Sequence, residues 1–252
     1  MMILKSPISQ KVKKLPYNGL FVTVEGPDGS GKTSLIGPLG EWIEQTAKQK
    51  CLITREPGTP HSTICSDLRE MIKHNHSVLE DTEIFLIIAD RCQHVNSVIK
   101  PALEEGQIVL CDRYIDSTYA YQGWGRRHGD PESMEYLQYL NQKSTKGLVP
   151  DLTILLMVDP LVGAKRASGD KNRKESDKFD VIEKEFKKRV FDGYLDLYNK
   201  EKDNRNFLYL DTTDKTQKQC FIEITDYLIK FFDLMLFDNT NRRKKCLLES
   251  VV

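Results

Sequence analysis

The stretch Gly26-Pro27-Asp28-Gly29-Ser30-Gly31-Lys32-Thr33 fits G-x-x-x-x-G-K-[ST] and restricts the fold more than any other part of the chain. Residues 20–24 before it (Leu-Phe-Val-Thr-Val) form a short apolar, partly β-branched run of strand type. Residues 34–48 after it carry Leu35, Leu39, Trp42 and Ile43 at helical spacing. A strand that turns through glycines into a helix points backbone N–H groups inward, and the helix N-terminus adds partial positive charge. Lys32 supplies a full charge for the outer phosphates, and the Thr33 hydroxyl can ligate Mg²⁺. Gly26, Pro27, Asp28, Gly29, Ser30, Gly31, Lys32 and Thr33 are therefore expected to hold a nucleoside triphosphate. The loop alone does not name the reaction.

Strand and helix signals alternate through the rest of the chain. Strands are expected at 20–25, 51–55, 108–111, 152–158 and 207–210. Helices are expected at 34–48, 62–73, 81–100, 131–143, 184–200 and 217–236. This pattern implies an α/β fold: a five-stranded parallel sheet with helices on both faces. Ligands of such sheets bind beyond the carboxyl ends of the strands. Residues 167–180 carry Lys171, Arg173, Lys174 and Lys178 and only one large apolar side chain. They read either as a solvated loop or as a basic lid that closes over a triphosphate. The chain then divides into an N-terminal arm (1–15), one domain (16–237, lid at about 167–180) and a basic tail (238–252) with Arg242-Arg243-Lys244-Lys245.

Lys+Arg and Asp+Glu both number 37, so nothing in the net charge calls for a nucleic-acid partner or an acidic membrane surface. The six cysteines (Cys51, Cys65, Cys92, Cys111, Cys220 and Cys246) show no C-x-x-C pairing. Cys51 and Cys111 sit in apolar runs and are expected to be buried thiols. With no secretory signal and no run of transmembrane length, a reducing, cytoplasmic location is expected.

A second group of residues points at the reaction. Asp112 closes a buried strand beside the P-loop, a place from which an acid can hold Mg²⁺ through water. Arg113 beside it can bridge donor and acceptor phosphates with its guanidinium fork. Arg55-Glu56-Pro57-Gly58 follows the second strand, and Ala89-Asp90-Arg91 lies within the 81–100 helix. Several arginines thus converge on one mouth, which suits a second phosphorylated substrate. Trp124-Gly125-Arg126-Arg127 reads as an aromatic and basic loop, at the rim of the acceptor site or in contact with nucleic acid.

Together these motifs resemble the bacterial-type thymidylate kinases of the P-loop nucleoside monophosphate kinase family. The likeness is carried by residues 25–33, 54–58, 89–94, 101–106, 108–123, 150–152 and 186–195, and it covers nearly all of the chain except its two ends. It implies a three-layer P-loop kinase fold with a mobile lid. It implies ATP as phosphoryl donor, dTMP as acceptor giving dTDP, Mg²⁺ as cofactor and a homodimer packed through the 81–100 helix. By the same resemblance Asp28 binds the acceptor's 3′-hydroxyl, Arg69 and Arg113 grip its phosphate, and Arg91 bonds the thymine ring with Thr118 and Gln122 nearby. Tyr121 sits against the sugar, Arg55, Glu56 and Pro57 line the same site, and Thr33, Asp112 and Glu56 surround the metal. The P-loop holds no arginine, so Arg173 or Arg166 is the candidate catalytic arginine beside Lys32 and Arg113.

Three positions depart from the family pattern. Ile87 stands where an aromatic usually stacks on thymine. Residues 59–65 lack a second glycine and a Gly-Glu pair. Lys178 replaces a lid arginine and lacks its fork. The competing readings are a broader deoxynucleoside monophosphate kinase, a deoxynucleoside kinase, a GTP-binding switch (for which Asn-Lys-x-Asp is missing) and a catalytically quiet nucleotide-binding protein.

Overall fold

The structure, a computed structural model, describes residues 17–74, 77–168 and 178–249; side chains are described except at 168, 178–182 and 234–249. Strands β1 (Leu20–Glu25), β2 (Cys51–Arg55), β3 (Ile108–Asp112), β4 (Leu152–Met157) and β5 (Phe207–Asp211) form one all-parallel sheet in the order β2-β3-β1-β4-β5. Around it lie α1 (Lys32–Ala47), α2 (Thr63–His74), α3 (Glu80–His94), α4 (Lys100–Glu104), α5 (Ile115–Thr118), α6 (Pro131–Thr145), α7 (Pro160–Ser168), α8 (Lys178–Glu201) and α9 (Gln217–Glu249). No helix among the described residues is long and apolar enough to cross a membrane.

Every residue of β1 and β4 is buried, which requires cover on both faces of the sheet. Strand alternation decides which side chain goes where. Leu20, Val22 and Val24 of β1 face Leu35, Leu39 and Ile43 of α1 and Ile224, Leu228 and Phe231 of α9. Phe21, with Val109 and Cys111 of β3, faces Val95, Ile99 and Leu103 on the other side. Leu155 and Met157 of β4 and Phe207 of β5 pack under Val190, Tyr194 and Tyr198 of α8. Asp151 ties β4 to β1: its Oδ2 accepts the Phe21 N–H at 2.7 Å, and burial pushes its carboxyl up to about 7.

Several elements differ from expectation. The helix expected to end before Pro101 widens to a π turn at Val95–Ile99 and runs on as α4. Pro101 is the second residue of α4, directly after the π turn. Residues 119–126, read from sequence as loop around Trp124, form an eight-residue π-helix. α7 was not anticipated, and α9 passes residue 236 to reach Glu249. Cys51 is only half-buried, because β2 is an edge strand. Within the expected lid, residues 167–168 close α7 and Lys178 opens α8. Arg173, with residues 169–177, and the 1–15 arm lie outside the described residues.

Candidate active site

The P-loop leaves the carboxyl end of β1, the central strand, with β3 on one side and β4 on the other. Gly26 has φ 137°, and a Cβ there would come within 1.9 Å of the Leu156 carbonyl oxygen, so only glycine fits the turn. Lys32 folds back onto its own loop: Nζ donates at 2.8 Å to the carbonyls of Gly26 and Pro27 and at 3.3 Å to Ser30 Oγ. Burial, then the neighbouring Arg113, lower its pKa to about 7. A triphosphate would supply the anion this lysine lacks. Thr33 is exposed at the start of α1. Thr212 Oγ1, beyond β5, donates to the Ser30 carbonyl at 3.2 Å and props the loop from behind.

Asp112 ends β3, in register with Val24 of β1 and Arg55 of β2. Its Oδ1 is buried and has no hydrogen-bond partner. A buried carboxylate oxygen left without a donor is costly in a folded protein and marks a place built for water or a cation. Arg113, next in sequence, takes φ 69°, a left-handed conformation uncommon for a side-chain-bearing residue. That twist sends its guanidinium back over the P-loop. Nη1 donates to the Gly26 carbonyl at 3.1 Å and to Tyr194 Oη at 3.2 Å. Nη2 pairs with Asp28 and donates to Tyr121 Oη at 3.0 Å. The Tyr121 ring lies 4.8 Å beneath the guanidinium carbon. Asp28, Arg113 and Tyr121, assigned from distant motifs, thus meet at one mouth.

The floor of that mouth is braced by Glu25. Its Oε1 accepts the Tyr114 N–H, and its Oε2 accepts Ser117 Oγ, both at 2.6 Å, with Tyr194 Oη at 3.1 Å. Burial, then the nearby Asp116 carboxylate, raise Glu25 to about 7. Arg205 holds Asp116 in a two-pronged pair at 2.9 Å.

After β2 the chain turns through a cis Glu56–Pro57 bond. Arg55 Nε donates to the Gly58 carbonyl at 3.0 Å, and Arg69 of α2 donates to the Pro57 carbonyl. Burial, then the Arg55 charge, lower the pKa of Arg69. Arg69 therefore stands beside Arg55. Asp90 Oδ1 accepts the Gly58 N–H at 3.0 Å and pins this turn to α3.

One assignment is corrected here, that of Glu56. Glu56, expected near the metal, has both oxygens engaged elsewhere: Oε2 accepts Arg91 Nε at 2.7 Å and Oε1 lies 3.0 Å from His94 Nδ1. The pair is 2% exposed on each side, and Arg91 with His94 overcomes burial to hold the Glu56 carboxyl below its usual range. Arg91 is held on several sides with one donor to spare. Its Nη1 donates to Thr118 Oγ1 at 2.9 Å and to Asn141 Oδ1, and its Nη2 to the Tyr114 carbonyl at 3.0 Å. Of five N–H donors, one on Nη2 is left for a ligand. Ile87, one turn earlier on the same face of α3, is buried. Gln122 Nε2 donates to Glu83 Oε1 at 2.9 Å, one turn earlier again.

A family model for thymidylate kinase matches residues 24–220. The chain belongs to the thymidylate kinase family. It is 40% identical over 212 residues to the thymidylate kinase of Bacillus mycoides (strain KBAB4), which covers 83% of this chain and 97% of that one. It is 43% identical over 187 residues to that of Bacillus cereus (strain ATCC 14579), covering 73% and 86%. The crystal structure of thymidylate kinase from Ehrlichia chaffeensis superposes with a TM-score of 0.64 at 27% identity, covering 83% of this chain and 98% of that one.

Arg166 extends from α7, within one turn of Gly163, which abuts Gly29 of the P-loop. The Arg166 guanidinium donates to the carbonyls of Thr212 (3.1 Å) and Thr213 (2.9 Å), behind the P-loop. Arg173, the other candidate lid arginine, lies outside the described residues. The basic pair read as a loop rim is tied down too, Arg126 to Glu80 and Glu83 and Arg127 to Asp81. Glu83, Asn141 and Arg205 were not singled out from sequence, and His94 and Asp116 fall within the 89–94 and 108–123 motifs without an assigned role. For Glu83 the four-residue spacing with Ile87 and Arg91 on one helix face offered a signal.

Proposed function

We propose that this thymidylate kinase family member transfers the γ-phosphoryl group of ATP to the 5′-phosphate of dTMP, releasing ADP and dTDP, with the side chains described above in named roles. Arg113 carries the reading. One guanidinium touches the P-loop carbonyl of Gly26, the Asp28 carboxylate and the Tyr121 hydroxyl, so a single charge serves donor and acceptor together.

The acceptor monoester is mostly dianionic at pH 7 and needs no strong base. Its oxygen forms the bond to the γ-phosphorus as the bond to the β,γ-bridging oxygen breaks. Catalysis is then the work of bringing two anions together and stabilising charge on the transferring group. Lys32 and the loop N–H groups hold the donor phosphates. Arg113, with Arg69 and Arg55, holds the acceptor phosphate. Asp28 and Tyr121 position the sugar. Thr33 and Asp112 would hold Mg²⁺, and the orphaned Asp112 Oδ1 fits that use. The ion would neutralise phosphate charge. Arg91, Thr118 and Gln122 face the base, with Ile87 as an apolar surface beneath it. Arg173 or Arg166 is the candidate lid arginine.

The chain is further read as a cytoplasmic homodimer. Free thiols at Cys51, Cys65, Cys92, Cys111 and Cys220 suit a reducing compartment. Phe85 of α3 and Tyr136 and Tyr139 of α6, each about half exposed, offer an apolar face for a second copy. Light scattering at micromolar concentration tests this, and a strictly monomeric mass would refute it.

The test of function is a coupled ADP-release assay with Mg-ATP against dTMP, dUMP, dCMP, dGMP and thymidine. Turnover with dTMP well above the others is expected. Turnover with thymidine but not dTMP would overturn the reading, as would tight nucleotide binding without turnover.

A further inference from the structure

Resting on that reading, we infer that Glu83 is a specificity-determining residue that selects a keto pyrimidine by fixing which way the Gln122 amide points. A carboxylate can only accept hydrogen bonds. The end of the Gln122 amide that meets Glu83 must therefore be its NH₂, and Nε2 lies 2.9 Å from Glu83 Oε1. The carbonyl end, Oε1, is left to face elsewhere and makes no hydrogen bond among the described residues. Glu83 is itself held, because Arg126 Nη2 donates to its other oxygen at 3.0 Å. Glu83 is 18% exposed and Gln122 is buried, so water competes little for the contact.

The second half of the pattern lies two turns along the same helix face. Glu83, Ile87 and Arg91 follow one another at four-residue intervals on α3. Thr118 and Gln122, also four apart, answer them from α5 and the π-helix. At the Arg91 end the groups offered are donors, the remaining Nη2–H and the hydroxyl proton of Thr118, whose oxygen already accepts from Arg91. At the Gln122 end the group offered is an acceptor. Donor beside acceptor complements a base edge carrying a carbonyl oxygen beside a ring N–H. An aminopyrimidine presents the opposite order, an NH₂ beside an unprotonated ring nitrogen, and meets donor with donor and acceptor with acceptor. Sites that pair buried polar groups with a ligand discriminate strongly, because the wrong ligand leaves those groups unpaired. Ile87 supplies surface but no such code, so this chain needs no aromatic beneath the base to tell the two apart.

Replacing Glu83 by glutamine removes the constraint, since an amide can meet Gln122 in either orientation. The experiment measures kcat/KM for dTMP and dCMP with wild type, Glu83→Gln and Glu83→Asp, with melting curves for all three. In Glu83→Gln the dTMP:dCMP ratio should fall by about tenfold or more. Most of the loss should appear as a higher KM for dTMP, with kcat at saturation within about threefold. Glu83→Asp, which can still only accept, should lie between the two. A second measurement needs no variant: N3-methylated dTMP, which has no ring N–H for the Gln122 carbonyl, should raise KM for the wild-type enzyme at least tenfold. A folded Glu83→Gln enzyme whose ratio stays within twofold of wild type overturns the inference, and so does an unchanged KM for the methylated substrate. Wild-type enzyme inactive on dTMP would instead overturn the functional reading.

Discussion

Glu56→Gln isolates the charge of the buried pair that holds Arg91. Glutamine keeps the shape and one acceptor oxygen, so the 2.7 Å bond from Arg91 Nε survives. The new NH₂ then faces His94 Nδ1, which accepts it in the tautomer that sends Nε2–H to Thr54 Oγ1, 2.7 Å away. Little geometry is lost; the anion is lost. Both partners are 2% exposed, so Arg91 keeps its charge in a site where water cannot compensate it. Removing one partner of such a pair costs about 3–5 kcal/mol. For a domain of this size that is a fall in Tm of roughly 6–20 °C. The assay is urea unfolding at pH 7 with a matching thermal scan. The pH dependence provides a check of sign. Glu56 is held below its usual 4.5, so its contribution is present above that value and is lost as pH falls through the folded value. The gap between wild type and variant should therefore narrow below about pH 4.5. The double variant Glu56→Gln/Arg91→Met should recover more than half of the loss. A deficit under about 1 kcal/mol at pH 7, or one unchanged down to pH 3, would refute the argument that an uncompensated charge is the cause.

Three other outcomes follow from the site. Lys32→Met should cut turnover at least about 10²-fold while raising the Tm of the ligand-free protein. Its folded pKa of about 7 lies below the free value of 10.5, so the native state holds fewer protons and wild-type stability should rise with pH between those values. A Tm that drops on substitution would contradict this. Asp151 behaves in the opposite sense: raised from 3.8 to about 7, its contribution is full below 3.8 and lost as pH rises through 7. Asp151→Asn should flatten the stability profile across that window, read by unfolding at pH 4.5, 6 and 8. Gly26→Ala places a methyl 1.9 Å from the Leu156 carbonyl at φ 137°. It should cost about 3 kcal/mol or more and abolish ATP binding by calorimetry.

The sheet was legible because its strands are short apolar runs between helical periods, and the P-loop reads without ambiguity in that setting. What the sequence concealed shares one physical cause. The surroundings of Arg91 come from Glu56, from Tyr114 and Thr118 at the two ends of α5, and from Asn141, three segments far apart in the chain that no spacing rule joins. Glu56 sits in a motif that looks phosphate- or metal-directed, yet its partners are a buried arginine and a histidine. The π-helix escaped because glycines at 123 and 125 read as turn residues. They are there to let helices touch: a Cβ at Gly125 would lie 2.7 Å from the Phe186 ring, and one at Gly123 2.4 Å from Met134 Sδ. Glycine in a strand–helix connection reports a turn, whereas glycine between packed helices reports distance.

The left-handed backbone at Arg113 bears on how this enzyme can change over time. Asparagine, aspartate or glycine would accept φ 69° with little strain but abandon the guanidinium. Lysine keeps a charge but loses the fork and still bears the backbone penalty. No single substitution thus satisfies both the torsion and the contacts to Gly26, Asp28 and Tyr121. Position 113 sits on an isolated peak in sequence space. A lineage that departed from it would have to rebuild the turn after β3 first, with the kinase impaired at every intermediate step.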